Sequence, residues 1–368
     1  MAGDRYRRQQ ILPGVGAEGQ ARLAAASVLV VGAGGLGVPA LTYLAAAGVG
    51  RLGIVDFDMV EESNLHRQPL YATGDVERAK TDVAAERLAA LNPDIHIERH
   101  AERLGADNAE RLVGAYDVVL DGTDTFATRY LVNDASVLAG VPNVYASVSQ
   151  FSGQAAVFGG AHADGGRGPC YRCLFPEPPP PGLVPDCAEG GVLGVLPGIL
   201  GTIQAAEALK LILGLGRPLV GRLLLLDALG MEARTLVVAR DPDCPACGDR
   251  PSITSALPMP PSVPEITVQD YKRRLDAGDA PFLLDVREPD EYEGANLDGV
   301  LIPLGQLPDR LDEIASHRDE EVVVHCRSGG RSAKAVELLQ QNGFSDVKNL
   351  KGGIHAWSDE IDPSLPKV

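Results

Sequence analysis

The chain is 368 residues long, enough for two or three domains at the usual ~100–200 residues each, and its formal net charge of −17 argues against nucleic acid as a ligand. No charge-flanked apolar stretch opens it and no uninterrupted apolar run approaches the ~20 residues that span a bilayer, so a cytoplasmic protein with no membrane partner is expected. Six cysteines are too few for a disulfide framework in this length, and four of them fall in Cys-x-x-Cys pairs, which suits a reducing compartment.

In chain order, Ser27–Val31, Leu52–Val55, Ile95–Ile97, Asp117–Leu120 and Val144–Val148 are short apolar runs spaced by amphipathic stretches of helical length. Strands alternating with helices predict an α/β fold of the doubly wound, Rossmann-like kind, with a mostly parallel sheet covered on both faces. Gly32-Ala33-Gly34-Gly35-Leu36-Gly37 follows the first run directly and opens a helix, so its backbone can approach a phosphate at the helix N-terminus. Asp56 ends the second run and is placed to accept ribose hydroxyls. Both features also serve NAD-dependent oxidoreductases, which stand as the alternative at this point.

A helix is expected from about Asp75 to Leu91, with apolar Val76, Ala79, Val83 and Leu88, a stop at Asn92-Pro93, and Lys80 on its exposed face. Ser63-Asn64-Leu65-His66-Arg67-Gln68 lies after the second strand and Asp124 just past the fourth. Arg67, Lys80 and a carboxylate then converge at the C-terminal edge of the sheet. A dehydrogenase has no need of two cations beyond the α-phosphate, whereas cleavage of ATP between the α and β phosphates must neutralise charge developing on pyrophosphate. Adenylation is the better fit.

These residues, together with Arg5-Tyr6-Arg7-Arg8-Gln9, resemble the MoeB/ThiF family over about residues 4–248. That family comprises the molybdopterin and thiamine sulfur-carrier adenylyltransferases related to ubiquitin-activating enzymes. The resemblance implies that Gly35, Asp56, Ser63, Asn64, Arg67 and Lys80 hold ATP and that Asp124 holds Mg2+. It also implies a homodimer in which Arg8 is donated across the interface as an arginine finger. Thr125 stands where the family usually has Asn, keeping a hydrogen-bonding oxygen but losing an amide donor.

Cys170-Tyr171-Arg172-Cys173 and Cys244-Pro245-Ala246-Cys247 each present two sulfurs from a tight turn. Four such thiolates satisfy tetrahedral Zn2+ with no open position, so a structural ion is expected; redox pairs are disfavoured because neither pair is expected to open a thioredoxin-like helix. The proline run Pro178 to Pro181 makes residues 176–190 a loop, which carries Cys187. In sequences of the family joined to a rhodanese, the matching cysteine is assigned to a thioester or disulfide intermediate, and the resemblance extends that role to Cys187.

Prolines at 251, 258, 260, 261 and 264 interleave with Ser, Thr and Ala, the composition of a linker, so the domains are expected at 1–248 and 265–368 with a linker at 249–264. Beyond it, Val322–Val324 reads as a buried strand and Ser332–Leu339 as a helix, which sets Cys326 on a strand-to-helix turn. Backbone N–H groups of Arg327, Ser328, Gly329, Gly330 and Arg331 would form an anion-binding nest there, and with the Arg331 guanidinium would favour a nucleophilic thiolate. Cysteine-dependent phosphatases place five residues between Cys and Arg; here four intervene, a ring too short for phosphate that suits a terminal sulfur. With Leu283–Tyr292 upstream and Gly352-Gly353-Ile354-His355-Ala356-Trp357 downstream, the segment resembles the rhodanese family across about residues 264–368. That resemblance implies a smaller α/β domain with a persulfide on Cys326.

The two resemblances together imply an adenylyltransferase and sulfurtransferase acting on a ubiquitin-like sulfur-carrier protein of the MoaD, ThiS or CysO type. The carrier's C-terminal Gly-Gly carboxylate would be adenylated, then attacked by the Cys326 persulfide, with Cys187 releasing the thiocarboxylate. A cysteine desulfurase or thiosulfate would supply the sulfur, and the product would serve molybdopterin, thiamine, cysteine or related synthesis. The alternatives are an NAD-dependent oxidoreductase with a fused sulfurtransferase and a carrier-binding scaffold whose nucleotide only sets conformation.

Overall fold

The structure, a computed structural model, describes residues 4–160, 166–178, 191–256 and 263–366. These fall into two compact units, the first within residues 4–256 and the second within 263–366.

The first unit is built on an eight-stranded sheet of order β3-β2-β1-β4-β5-β6-β7-β8. Its strands are β1 (Ser27–Val31), β2 (Arg51–Val55), β3 (His96–His100), β4 (Val118–Asp121), β5 (Asn143–Ser149), β6 (Ser152–Phe158), β7 (Arg222–Asp227) and β8 (Glu232–Val237). The first five are mutually parallel and the last three run antiparallel. All five residues of β1 are buried, as a strand covered on both faces requires. Its alternating side chains enter two cores. Val28 and Val30 join Leu41, Leu44, Leu88 and Leu200 on one face, while Leu29 and Val31 join Leu112, Val113, Leu131 and Val132 on the other. Each fully buried leucine contributes roughly 1.5–3 kcal/mol relative to an exposed one. Because β1 lies between β2 and β4, the connections after β1 and β4 depart to opposite faces and leave a crevice at their C-terminal ends.

One expectation is corrected here. The helix predicted from Asp75 begins at Lys80, running Lys80–Leu91. Before it, Asp75 closes a short 3-10 turn by accepting the Ala72 N–H at 2.9 Å, and Ala79 bridges to Met59 in extended form. Lys80 is therefore the first residue of the helix and buried at 5 % exposure, not on an exposed face. The helix Val195–Leu213 is long and apolar enough to cross a membrane by length and composition, although Pro197, Gly198, Gly201, Glu207 and Lys210 interrupt its apolar run. In the fold it packs on the helix Gly37–Ala47 and across β5 and β6, with Leu196, Leu200, Ala205 and Ala208 buried, which accounts for its apolar surface.

The second unit carries a five-stranded sheet of order β11-β10-β12-β13-β9, parallel throughout. Its strands are β9 (Glu265–Ile266), β10 (Phe282–Asp285), β11 (Val300–Leu301), β12 (Glu321–His325) and β13 (Asp346–Leu350). Central β12 is closed by Val322, Val323 and Val324, all at 0 % exposure, and leads through a short loop into the helix Gly330–Gln341.

The first part of the stretch read as linker is docked on the first unit. Ala256 is 2 % exposed among Leu104, Leu112 and Val113, and its N–H donates to Glu110 at 2.8 Å. Its prolines exclude regular structure without excluding burial of the residues between them.

Candidate active sites

The crevice at the C-terminal ends of β1, β2 and β4 is a cavity of about 450 Å³. Gly35, Asp56, Asn64, Arg67, Lys80, Asp124 and Thr125 all line it, brought together from five segments. Gly32 adopts φ +93°, and a Cβ on Gly37 would stand 1.8 Å from the Gly32 carbonyl oxygen, so this turn admits no side chain where the helix leaves the strand. A Cβ on Gly34 would meet nothing nearer than 3.7 Å; the space above the loop is open for a ligand.

Asp56 holds that loop in place. Its carboxylate accepts the N–H of Ala33 at 2.7 Å and of Asp58 at 2.8 Å. Burial raises its pKa above the usual carboxylate value, opposed by those two backbone hydrogen bonds and by Lys80. Lys80 Nζ donates to Asp58 at 2.9 Å. The Arg67 guanidinium donates to Asn64 Oδ1 at 2.8 Å and to the Ser63 carbonyl at 3.1 Å, which aims a fixed charge from a one-turn segment. Asp124 is exposed at the rim without an ion pair among the described residues, so its carboxylate is available to a divalent cation.

Three expected site residues stand elsewhere or do something else. Ser63 is exposed, does not line the cavity, and donates to Glu61 at 3.1 Å. Arg8 is exposed on the one-turn helix Arg7–Gln10, outside the cavity of its own chain. Thr125 caps the helix Phe126–Ala139, accepting the Thr128 N–H at 3.3 Å, so the hydroxyl in place of an amide serves the helix as well as the cavity. Sequence reading gave no role to Phe57, Arg103 or Gln68, which also line the cavity. The Arg103 guanidinium stacks 3.8 Å from the Phe57 ring centre, a contact between distant loops that leaves no local motif. Gln68 lies inside the quoted hexapeptide, and its Oε1 is buried with no hydrogen-bond partner among the described residues.

The four sulfurs of Cys170, Cys173, Cys244 and Cys247 lie within 4.8 Å of one another. A tetrahedral zinc with ~2.3 Å Zn–S bonds sets sulfurs about 3.8 Å apart, so the four thiols fit a closed structural site. The Asp241 N–H donates to Cys173 Sγ at 3.4 Å, an outer hydrogen bond of the kind that orients a metal ligand. Cys170 precedes only a one-turn helix, Tyr171–Leu174. Cys187 and most of the 176–190 loop lie outside the described residues.

In the second unit Cys326 sits at the end of β12, 1 % exposed, and its sulfur accepts the Gly329 N–H at 3.2 Å. Gly329 takes φ +105° to turn that N–H inward. The carbonyls of Cys326 and Arg327 cap the helix Gly353–Glu360, through the N–H groups of Ile354 and His355. A Cβ on Gly353 would stand 2.3 Å from the Cys326 oxygen, the physical reason for the Gly-Gly pair. Arg331 forms a bidentate pair with Glu291, both contacts 2.6 Å, which holds that carboxyl at about 2.

Below the loop, Asp285 and Arg287 form an ion pair at 0 % exposure, and His325 beside them is also fully buried. Burial depresses the His325 pKa to about 4, against an opposing pull from Asp285 at 3.4 Å. A folded-state value below the unfolded one means the unfolded chain binds the extra proton first. Stability of this unit is therefore full above about pH 6.5 and falls as pH drops toward 4, by roughly 3 kcal/mol. Trp357, the sole tryptophan, lies in this unit and reports on it. Urea midpoints from its fluorescence should fall across that window in the native chain and much less in His325→Phe; equal falls in both would refute the assignment.

The ThiF family profile matches residues 6–246 and the rhodanese-like domain profile matches residues 267–360. The chain is 45 % identical to a probable adenylyltransferase/sulfurtransferase MoeZ of Mycobacterium tuberculosis, over 98 % of this chain and 94 % of that one. It is 44 % identical to the adenylyltransferase and sulfurtransferase MOCS3 of Sus scrofa, over 99 % and 87 %. A sulfur carrier protein adenylyltransferase of Thermus thermophilus is 60 % identical over 68 % of this chain and 92 % of its own. Among solved structures, E. coli MccB with ATP is similar in fold at 22 % identity and TM-score 0.57, covering 67 % of this chain and 75 % of that one.

Proposed function

The chain belongs to the ThiF family and carries a rhodanese-like domain, an adenylyltransferase joined to a sulfurtransferase, and from that premise we propose that it converts the C-terminal Gly-Gly carboxylate of a ubiquitin-like sulfur carrier into a thiocarboxylate. The observation that carries this reading is the convergence of the glycine loop, Asp56, Asn64, Arg67, Lys80 and Asp124 on one cavity, in a chain whose other unit presents Cys326 in a strand-to-helix cradle. With the family established, the nicotinamide-dependent alternative falls away.

ATP would lie over Gly34 and Gly35 with its ribose toward Asp56. Arg67 and Lys80 would take up charge on the departing pyrophosphate, and Asp124 would hold the magnesium ion that accompanies the phosphates. The carrier carboxylate attacks the α-phosphorus, giving the acyl adenylate. The terminal sulfur of a Cys326 persulfide then attacks that carbonyl and AMP leaves with the bonding pair. A thiolate, assigned by resemblance to Cys187, attacks Cys326 Sγ in the resulting acyl disulfide and the carrier leaves as thiocarboxylate; a cellular thiol reductant must then reopen the Cys187–Cys326 disulfide. Arg8 would reach the cavity of a second copy in a homodimer. The sulfur would come from thiosulfate or a cysteine desulfurase, in a reducing, cytoplasmic setting.

Incubating the full chain with ATP, thiosulfate and a small protein ending in Gly-Gly should replace one carrier oxygen by sulfur in the mass spectrum, with AMP and pyrophosphate released in equal amounts. Failure to release AMP with every Gly-Gly-ended carrier tried would refute the proposal.

A further inference from the structure

Ser332 has one hydroxyl hydrogen and three acceptors around it: Asn349 Oδ1 at 2.6 Å, the Gly329 carbonyl at 3.1 Å and Cys326 Sγ at 3.3 Å. The orientation of the Asn349 amide is settled by its other end. There Nδ2 lies 3.2 Å from the Gly329 carbonyl and 3.5 Å from Glu265 Oε1, both acceptors, so Oδ1 must face the serine. The shortest contact takes the hydrogen, and the serine turns a lone pair toward the sulfur. All three side chains are at most 3 % exposed, so no solvent substitutes for the missing donor. A neutral S–H can point at that lone pair; a sulfur anion meets it lone pair to lone pair.

We propose that Asn349 is a positioning residue that competes with the Cys326 sulfur for the Ser332 hydrogen and so restrains the reactivity of the resting thiol. This inference rests on the reading of Cys326 as the sulfur-carrying residue. Its consequence is directional. When a charged sulfur forms, the Ser332 hydrogen stays on Asn349 and the anion goes without it, so removing the amide oxygen would release that hydrogen to the sulfur.

The charged groups packed around the sulfur are tied elsewhere. Arg331 pairs with Glu291, Arg327 donates to His355 at 3.2 Å, and Asp285 with Arg287 and neutral His325 lies beneath the strand end. Glu265 approaches from the far side of Asn349. None of these pairings involves the Ser332 hydroxyl, so dependence on that hydroxyl isolates the Asn349 effect.

The test is the rate of alkylation of Cys326 by iodoacetamide against pH in the full chain, followed by mass spectrometry of the Cys326 peptide. Asn349→Leu should move the profile to lower pH by about one unit, a rate about tenfold higher on its acid side, the worth of one charge-assisted hydrogen bond. In a Ser332→Ala background the same substitution should move nothing. Ser332→Ala alone should leave the native profile nearly in place, because the hydroxyl is already withheld. A tenfold loss in that single variant would overturn the proposal even if Asn349→Leu fails to fold, and so would a shift that survives without the hydroxyl. Alkylation needs only a thiol, so persulfide loading of Cys326 by thiosulfate, measured separately, tells failure of the function reading from failure of this one.

Discussion

Lys80→Ala should lower ATP-dependent pyrophosphate release by about 100- to 1,000-fold, the usual cost of removing one preorganised charge from a developing anion. Lys80 is the first residue of its helix and is buried against Asp58 at the cavity wall, so its ammonium acts where water is scarce. The substitution also leaves the Asp56 and Asp58 carboxylates beside the phosphates with no cation between them, so ATP should bind more weakly as well as react more slowly. Helix formation is not harmed, since alanine is the better helix former. Pyrophosphate exchange with carrier, measured as kcat and KM for ATP, checks this. Lys80→Arg should recover part of the loss, because it restores the charge but not its point geometry. Native exchange in Lys80→Ala would refute the assignment of Lys80 to the phosphates.

Cys326→Ala should abolish thiocarboxylate formation, by at least about a thousandfold, while leaving carrier-dependent pyrophosphate exchange at the native rate. The two chemistries sit in separate compact units with separate cores, so loss of one sulfur should not propagate to the nucleotide cavity. Alanine also keeps most of the small apolar volume that the buried thiol fills among Val324, Ala333 and Val336. Unchanged Trp357 fluorescence would confirm an intact second unit. Loss of exchange in this variant would contradict the division of labour; retained thiocarboxylate would move the sulfur to another residue.

The alternation of valine-rich runs with helical stretches was enough to foresee the parallel sheet, because strands buried on both faces have little choice but to be continuous and apolar, as β1 is. The glycine loop, Asp56 and Asp124 were legible as one cavity because each sits next to a strand end, and strand ends of a doubly wound sheet meet at its crevice; Arg67 and Lys80 reach it from the long connection after β2. What stayed hidden depends on contacts between distant segments. No local signal predicts that Arg103 stacks on Phe57, that Glu291 takes Arg331 from forty residues away, or that Asn349 reaches the cysteine loop from the last long strand. The helix start at Lys80 was misplaced for a related reason. Asp75 looks like a helix opener, but Arg78 and Arg87 close on its carboxylate and the chain turns through Glu77 at φ +69° before Ala79 bridges in extended form.

The apolar helix Val195–Leu213 has a consequence for how the chain is made. It covers the helix Gly37–Ala47, yet it leaves the ribosome on the order of ten seconds later at ~5–20 residues per second. During that interval Leu41 and Leu44 have no lid, and a nascent chain stalled before residue 195 presents an oily face of the kind chaperones hold. Only when the late helix arrives can the early one be sealed, so the first unit is born from both ends of its own sequence and cannot be finished piecemeal.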